Sequence, residues 1–375
     1  MTAAGRPVLL AAGGTGGHMF PAEALARALI ARGRSVALVT DARGGGFGDR
    51  LPEVNVHRIA ASGIAGTGLT DRASGVCRLA LGFLQARKLI RAIDPAIVVG
   101  FGGYASVPPL LAAQRSGRRS VIHEQNAVLG RANRLLARRA SAIATSFDNV
   151  RALPLGVASR VTLTGNPVRP AIAELATLPY PAPTPGGSLD VLVLGGSLGA
   201  TVFSTIVPGA MTQLTEAERS RIHLVQQCRA ENLDATRAAY AQLGLTVELA
   251  PFFHDMPARL AAAQLVIARS GASTVAELTA AGRPALLIPY PHATDDHQRA
   301  NADALVSSGA AWLLAQPAFT AAALTERLRF WLADPSPLGV AAGRARAIGR
   351  RDAADRLATL VLATADSFAS QERAA

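Results

Sequence analysis

The stretch Val8–Phe20, VLLAAGGTGGHMF, runs from apolar residues through four glycines and a threonine into a histidine and a helical pattern. Val191–Ala200, VLVLGGSLGA, repeats that order near mid-chain. An apolar run only long enough for a strand, a glycine turn and then a helix is the building unit of a parallel sheet covered by helices. The glycines allow backbone N–H groups to approach a ligand, and the following helix sets its partial positive charge at the turn. The same alternation fills both halves. PVLLAA, SVALVT, AIVVGFGG, SVIHEQ, AIATS and RVTLTGNP read as strands of the first half, and DVLVLGG, RIHLVQQC, VELAPFF, LVIARSG, PALLIPYP and AAWLLA as those of the second. The proline- and glycine-rich Leu178–Asp190 reads as a connection, and the alanine- and arginine-rich stretch from about Pro337 as helix. The pattern predicts an α/β chain with two Rossmann-like, doubly wound parallel-sheet domains, 1–166 and 167–341, and a helical segment, 342–375, packing back on the first. Such sheets bind ligands beyond the carboxyl ends of their strands, so the two domains are expected to face each other across a cleft walled by both glycine turns.

A length of 375 residues agrees with two cores rather than one. Cys77 and Cys228 fit neither a disulfide framework nor a metal spacing, which suits a reducing compartment. The apolar N-terminal run breaks into glycines too soon for a signal peptide. Pro95–Gln114 is uncharged and of spanning length, but its three glycines and three prolines favour a buried strand, a turn and a new helix over a membrane span.

The charge is uneven. Residues 1–165 hold 21 basic and 8 acidic side chains, and residues 166–375 hold 17 and 18, so the net +12 lies in the first half. That half points to an anionic partner: a nucleic acid, an acidic membrane surface or a phosphorylated substrate. Lys88 is the only lysine. Neither glycine turn carries the lysine of a Walker loop, and Lys88 sits in a basic helical stretch unsuited to a Schiff base.

Gly13, Gly14, Thr15, Gly16 and Gly17 depart from the dinucleotide fingerprint, although Asp41 follows the second strand where a ribose-binding acid would sit. His18 opens the next helix, where the dipole disfavours its cation and keeps it a neutral candidate base. Gln125 and Asn126 stand at the end of a strand, able to bond sugar hydroxyls, ahead of a basic helix carrying Arg131, Arg134, Arg138 and Arg139. In RSGASTVAE, Arg269–Glu277, a strand end meets a helix whose free N–H groups suit a diphosphate, with Glu277 two turns in for a ribose. Gln298 follows in DDHQRAN; the adjacent Asp295 and Asp296 do not make a spaced metal clamp. In Gly75–Arg91, Val76, Leu79, Ala80, Phe83 and Ile90 recur at helical spacing beside Arg72, Arg78, Arg87, Lys88 and Arg91. That pattern fits a membrane-surface helix and a core-facing helix equally.

Taken together, GGTGGHMFPA, GFGGYAS, HEQNAVLGRANRLLA, TGNPVR, GGSLGA, RSGASTVAE and DDHQRANA resemble the MurG family in order and spacing over nearly the whole chain. The resemblance implies a GT-B architecture and an inverting transfer of N-acetylglucosamine from UDP-N-acetylglucosamine to the muramyl 4-hydroxyl of lipid I, giving lipid II. This is a step of peptidoglycan synthesis, and so of cell wall biogenesis, cell shape and cell division. It also implies site residues. Ser197 would meet the donor diphosphate and Phe253 the uracil; Ala272, Ser273, Thr274, Val275, Ala276 and Glu277 would lie along the nucleotide; Gln298 would bind the sugar. Thr15, Gly16, Gly17, Asn126 and Arg169 would complete the site, with His18 as the base. No metal and no cofactor is expected, so helix N-termini, backbone N–H groups and arginine must meet the charge of the departing UDP. The family's membrane patch maps to Val76, Leu79, Phe83, Arg87 and Lys88 on an anionic bilayer surface, at the cytoplasmic face of the inner membrane. The patch often carries tryptophan in the family, and here Trp312 and Trp331 lie in the other domain. Rival readings are another GT-B enzyme, such as a lipid glucosyltransferase or a UDP-sugar epimerase, a dehydrogenase, or a basic nucleic-acid-binding protein. Nucleic acid is not expected, because the first-half aromatics interleave poorly with the arginines.

Overall fold

A computed structural model describes residues 5–13, 16–42, 51–61, 69–196 and 200–374, without the side chains of 69–74, 76 and 368–374. Thr15, Ser197 and the side chain of Val76 lie outside the described residues. The chain divides into two compact units, Met1–Arg169 with Asp352–Ala375, and Pro170–Arg351.

The first unit holds seven parallel strands: β1 (Val8–Ala11), β2 (Val36–Thr40), β3 (Asn55–Arg58), β4 (Ile97–Gly100), β5 (Ser120–Glu124), β6 (Ala142–Thr145) and β7 (Val161–Leu163). Their order is β3-β2-β1-β4-β5-β6-β7. In β1 the alternating residues feed two cores, as the two-residue repeat of a strand requires. Val8 and Leu10 pack with Leu25 and Leu29 of the Gly16–Ile30 helix. Leu9 joins Ile90 of the Leu69–Ile93 helix and Leu110 of the Val107–Arg115 helix on the opposite face. Both faces are covered, which is why the central strands read as unbroken apolar runs. β3 is the exception. Its sequence NVHR sits half-exposed at an edge, with no apolar run to announce it. Pro95–Gln114 folds as β4, a glycine turn and a helix.

The Ala353–Ala374 helix completes the first core by burying Leu357, Ala358, Val361 and Ala365. Arg32 anchors it, donating to Asp355 Oδ1 at 2.9 Å and Thr359 Oγ1 at 3.0 Å. The preceding Ser336–Ile348 helix stays with the second unit, so the chain returns at Asp352 rather than near residue 342.

The second unit has six parallel strands, β8 (Leu189–Leu194), β9 (Ile222–Gln227), β10 (Glu248–Ala250), β11 (Leu265–Ala268), β12 (Ala285–Leu287) and β13 (Ala311–Leu313), in the order β10-β9-β8-β11-β12-β13. Phe203, Trp331 and Leu338 fill one of its cores. In each sheet the strand order reverses once, between β1 and β4 and between β8 and β11. Loops diverge at such points and leave room for a ligand beyond the strand ends.

Candidate functional site

In the first unit, the loops after β1, β4 and β5 converge at the switch point. Gly102 and Gly103 follow β4 with φ of +81° and +69°, a left-handed backbone natural to glycine. The His18 ring lies against them: a β-carbon on Gly103 would stand 3.3 Å from its Cδ2 and 3.4 Å from its Nε2. His18 is half-buried in the first turn of its helix, whose opening N–H groups have no carbonyl in a preceding turn. Gly16 lies under Phe20, and the Arg169 guanidinium sits 5.2 Å from the centre of that ring. Arg169 and Gly16 thus meet at one helix end. Asp41 is buried, its carboxylate packed where a side chain on Gly13 would stand. It is not set out on the surface as a ribose acid would be.

After β5, the buried Glu124 carboxylate organises the next loop. Its Oε1 accepts from the Asn126 backbone at 3.0 Å and side chain at 3.2 Å; its Oε2 accepts from Gly130 N and Asn133 Nδ2, both at 2.8 Å. His123 is fully buried, with Nε2 3.0 Å from Gly165 O and Nδ1 3.1 Å from Gln125 Nε2. Burial lowers its pKa to about 4, opposed by the Gly165 contact and helped by His18, so the ring is neutral near pH 7. Asn166, 5% exposed at the end of the same sheet, has no hydrogen-bond partner for either side-chain polar atom among the described residues. Arg131, Arg138 and Arg139 are solvent-exposed, whereas Arg134 bonds Leu129 O at 2.6 Å.

In the second unit, the Ala272–Ala281 helix begins at an extended Gly271 and stops at Gly282, whose φ of +63° ends it in the left-handed region. Its first turn carries Ser273, whose buried Oγ has no partner among the described residues. Ala272, Ser273, Thr274, Ala276 and Glu277 are half-exposed, but Val275 is buried, so only its backbone can face a ligand. Gln298 Oε1 accepts from Tyr290 N at 2.9 Å, which aims its Nε2 the other way. Ser270 Oγ donates to Gln298 O at 2.8 Å, and Arg269 donates to Ile288 O and Pro289 O, both at 3.1 Å. These bonds tie the ends of β11 and β12 to Gln298 in the first turn of the His297–Ser307 helix. Just before that helix Asp295 and Asp296 hold φ of +54° and +51°, a strained backbone for residues with side chains. Gln227 braces the second glycine turn, accepting from Gly195 N and donating to Gly196 O, both at 3.1 Å.

Phe253 follows β10 in the second unit. Its ring is 4% exposed, with the Arg259 guanidinium 4.2 Å from the ring centre. Any contact with uracil falls to its backbone, while neighbouring Phe252 is 53% exposed.

The basic helix Leu69–Ile93 splits the apolar pattern read from its sequence. Ala86 and Ile90 are in the core and Phe83 packs against it, beneath Arg115. Leu79 is half-buried, while Leu81 and Leu84, at 51% and 60% exposure, face outward with Arg87 and Lys88. The core-facing reading of the helix holds for Ala86 and Ile90, and Leu81 and Leu84 form a separate exposed apolar pair. Among the described residues no group of three or more His, Cys, Asp or Glu could hold a metal, and no helix is long and apolar enough to cross a membrane.

The glycosyltransferase family 28 N-terminal domain matches residues 8–145 and the family 28 C-terminal domain residues 190–357. A protein of Rhodospirillum centenum called UDP-N-acetylglucosamine–N-acetylmuramyl-(pentapeptide) pyrophosphoryl-undecaprenol N-acetylglucosamine transferase is 58% identical over 359 residues, covering 96% of this chain and 94% of its own. A Granulibacter bethesdensis protein of the same name is 48% identical, with 96% and 94% covered. The crystal structure of Acinetobacter baumannii MurG aligns with a TM-score of 0.75 at 31% identity, covering 95% of this chain and 99% of that one. Sequence, domain pair and fold agree, and the chain belongs to the MurG family of glycosyltransferases.

Proposed function

We propose that the protein moves N-acetylglucosamine from UDP-N-acetylglucosamine to the muramyl 4-hydroxyl of lipid I, inverting the anomeric centre and forming lipid II. The observation that carries this reading is His18 lying on the Gly102–Gly103 turn at the first switch point, in a chain so close to relatives bearing that activity's name. A half-buried imidazole there can, in its neutral form, take the proton of an attacking hydroxyl. The second unit serves the donor. The N-terminus of the Ala272–Ala281 helix and its Ser273 hydroxyl meet the diphosphate, Ser197 joins them, Glu277 takes the ribose and the Phe253 backbone the uracil. Gln298 Nε2 and Asn126 hold the sugar, and Thr15, Gly16, Gly17 and Arg169 complete the charge-stabilising set. Fixed dipoles and one guanidinium meet the negative charge growing on UDP, so no metal is required.

The exposed Leu81 and Leu84, with Arg87, Lys88 and Arg91 on the same helix, support peripheral docking on an anionic bilayer at the cytoplasmic face. A likeness to the Neisseria meningitidis UDP-GlcNAc 2-epimerase, at 12% identity and a TM-score of 0.66, is one of fold and does not favour the epimerase reading. Incubation of the purified protein with UDP-N-acetylglucosamine and a short-chain lipid I analogue tests the proposal. It expects a disaccharide product and free UDP; UDP-N-acetylmannosamine with untouched acceptor would favour the epimerase.

A further inference from the structure

Resting on the acceptor reading above, we propose that Gln125, oriented by His123, accepts a hydrogen bond from the acceptor sugar's C6 hydroxyl, next to the 4-hydroxyl that His18 deprotonates. The orientation of the Gln125 amide follows from its neighbours. His123 Nε2 stands 3.0 Å from Gly165 O, a pure acceptor, so the ring proton is on Nε2 and Nδ1 is the lone pair. The Gln125 atom 3.1 Å from that lone pair must then be the NH2 group, which also reaches Phe101 O at 2.9 Å and His123 O at 3.3 Å. Three acceptors on one side fix the nitrogen inward, and the carbonyl oxygen points to the other side.

That oxygen faces Gly102. A β-carbon on Gly102 would lie 3.8 Å from Gln125 Oε1, 3.5 Å from His18 Cε1 and 3.5 Å from Asn133 Nδ2. Because the residue is glycine, the space stays open, with an acceptor oxygen and the candidate base on its rim. Asn133 Nδ2 is already directed to Glu124 Oε2 at 2.8 Å, which leaves the Gln125 oxygen as the acceptor for a ligand hydroxyl. A hexose presenting its 4-hydroxyl to His18 carries its C6 hydroxyl on the carbon attached to the neighbouring C5, on the same edge of the sugar. A site built to bond a hydroxyl rejects the analogue lacking it, since its own acceptor is left unpaired. His123 is a positioning residue here, because its ring nitrogens reach only Gln125 and the Gly165 carbonyl.

The test compares wild-type protein and Gln125→Met on intact and 6-deoxy short-chain lipid I analogues, with donor KM and thermal unfolding recorded alongside. Wild type should lose roughly tenfold in acceptor kcat/KM on the 6-deoxy analogue. Gln125→Met should lose a similar factor on the intact acceptor and nothing further on the 6-deoxy one, with donor KM unchanged. His123→Asn, which keeps an acceptor where Nδ1 stood, should retain the wild-type preference for the C6 hydroxyl, and His123→Gln should lose it. Equal use of both acceptors by wild type overturns the proposal even where the variants fold poorly. So does a full additive loss in Gln125→Met. Absence of any transfer by wild type to the intact acceptor overturns the parent reading with it, and is thereby distinguished from those two results.

Discussion

Glu124 grips Asn126 twice on a single carboxylate oxygen, through the backbone N–H at 3.0 Å and the side-chain amide at 3.2 Å. With Gly130 and Asn133 on the other oxygen, four donors converge on one buried acceptor. Such a group tolerates no donor of its own. Glu124→Gln places an NH2 against two N–H groups, and an unmet buried donor costs about 1–3 kcal/mol. The expected result is a lower melting temperature by calorimetry together with a higher donor KM, because Asn126 loses its anchor. A variant matching wild type in both would remove Glu124 from this role.

His18→Ala should lower kcat by roughly 10²–10⁴ while UDP affinity stays level, since a general base contributes about that much and touches the acceptor rather than the nucleotide. Single-turnover rates and titration calorimetry separate the two effects.

Glu277→Ala should weaken UDP binding by about 1.5–3 kcal/mol, the worth of hydrogen bonds to a charged group. Calorimetry reads this directly, and an unchanged affinity assigns the ribose to another residue.

Transfer should persist in excess chelator. The described residues offer dipole ends and Arg169, with no cluster of metal ligands. A rate that vanished with EDTA and returned with a divalent ion would require a different account of the leaving group.

Acid should destabilise the first unit through His123. Its folded pKa near 4 lies below the ordinary 6.5, so between those values the unfolded chain binds the extra proton. Its full contribution is therefore present above about pH 6.5 and is lost as pH falls towards 4. The loss is up to about 3 kcal/mol, at 1.36 kcal/mol per unit of pKa. Denaturant unfolding from pH 7 to 4 should show that slope, reduced in His123→Gln.

Leu81→Asp with Leu84→Asp should reduce sedimentation with anionic vesicles while leaving turnover of a water-soluble acceptor unchanged, since both side chains are exposed and neither is among the residues assigned to the substrates.

The central strands were legible in the sequence because burial on both faces demands continuous apolar runs, and all six of the second unit are found where those runs lie. Edge strand β3 was not, since NVHR packs on one side only and carries no period. Glycine turns gave away the strand ends, yet the residues that brace them did not stand out. Gln227 and Glu124 act through backbone atoms distant in the chain, and polar side chains of that kind look like solvated loop residues until the fold closes around them. Helical spacing left the apolar residues of Leu69–Ile93 open between two faces, and the family's patch put Phe83 outward, where Leu81 and Leu84 stand; a helix apolar on two sides has no single face to read. That Phe253 is covered while its neighbour Phe252 stands exposed is likewise set by a distant side chain, the Arg259 guanidinium over the Phe253 ring.

The Ala353–Ala374 helix, translated after the whole second unit, plugs the hydrophobic interior of the unit made before it. On the ribosome the later-made half can therefore close first, while the earlier one waits with one apolar flank bare. That interval exposes the nascent chain to chaperones and proteases for as long as some 180 intervening residues take to emerge, on the order of ten to forty seconds at ordinary elongation rates.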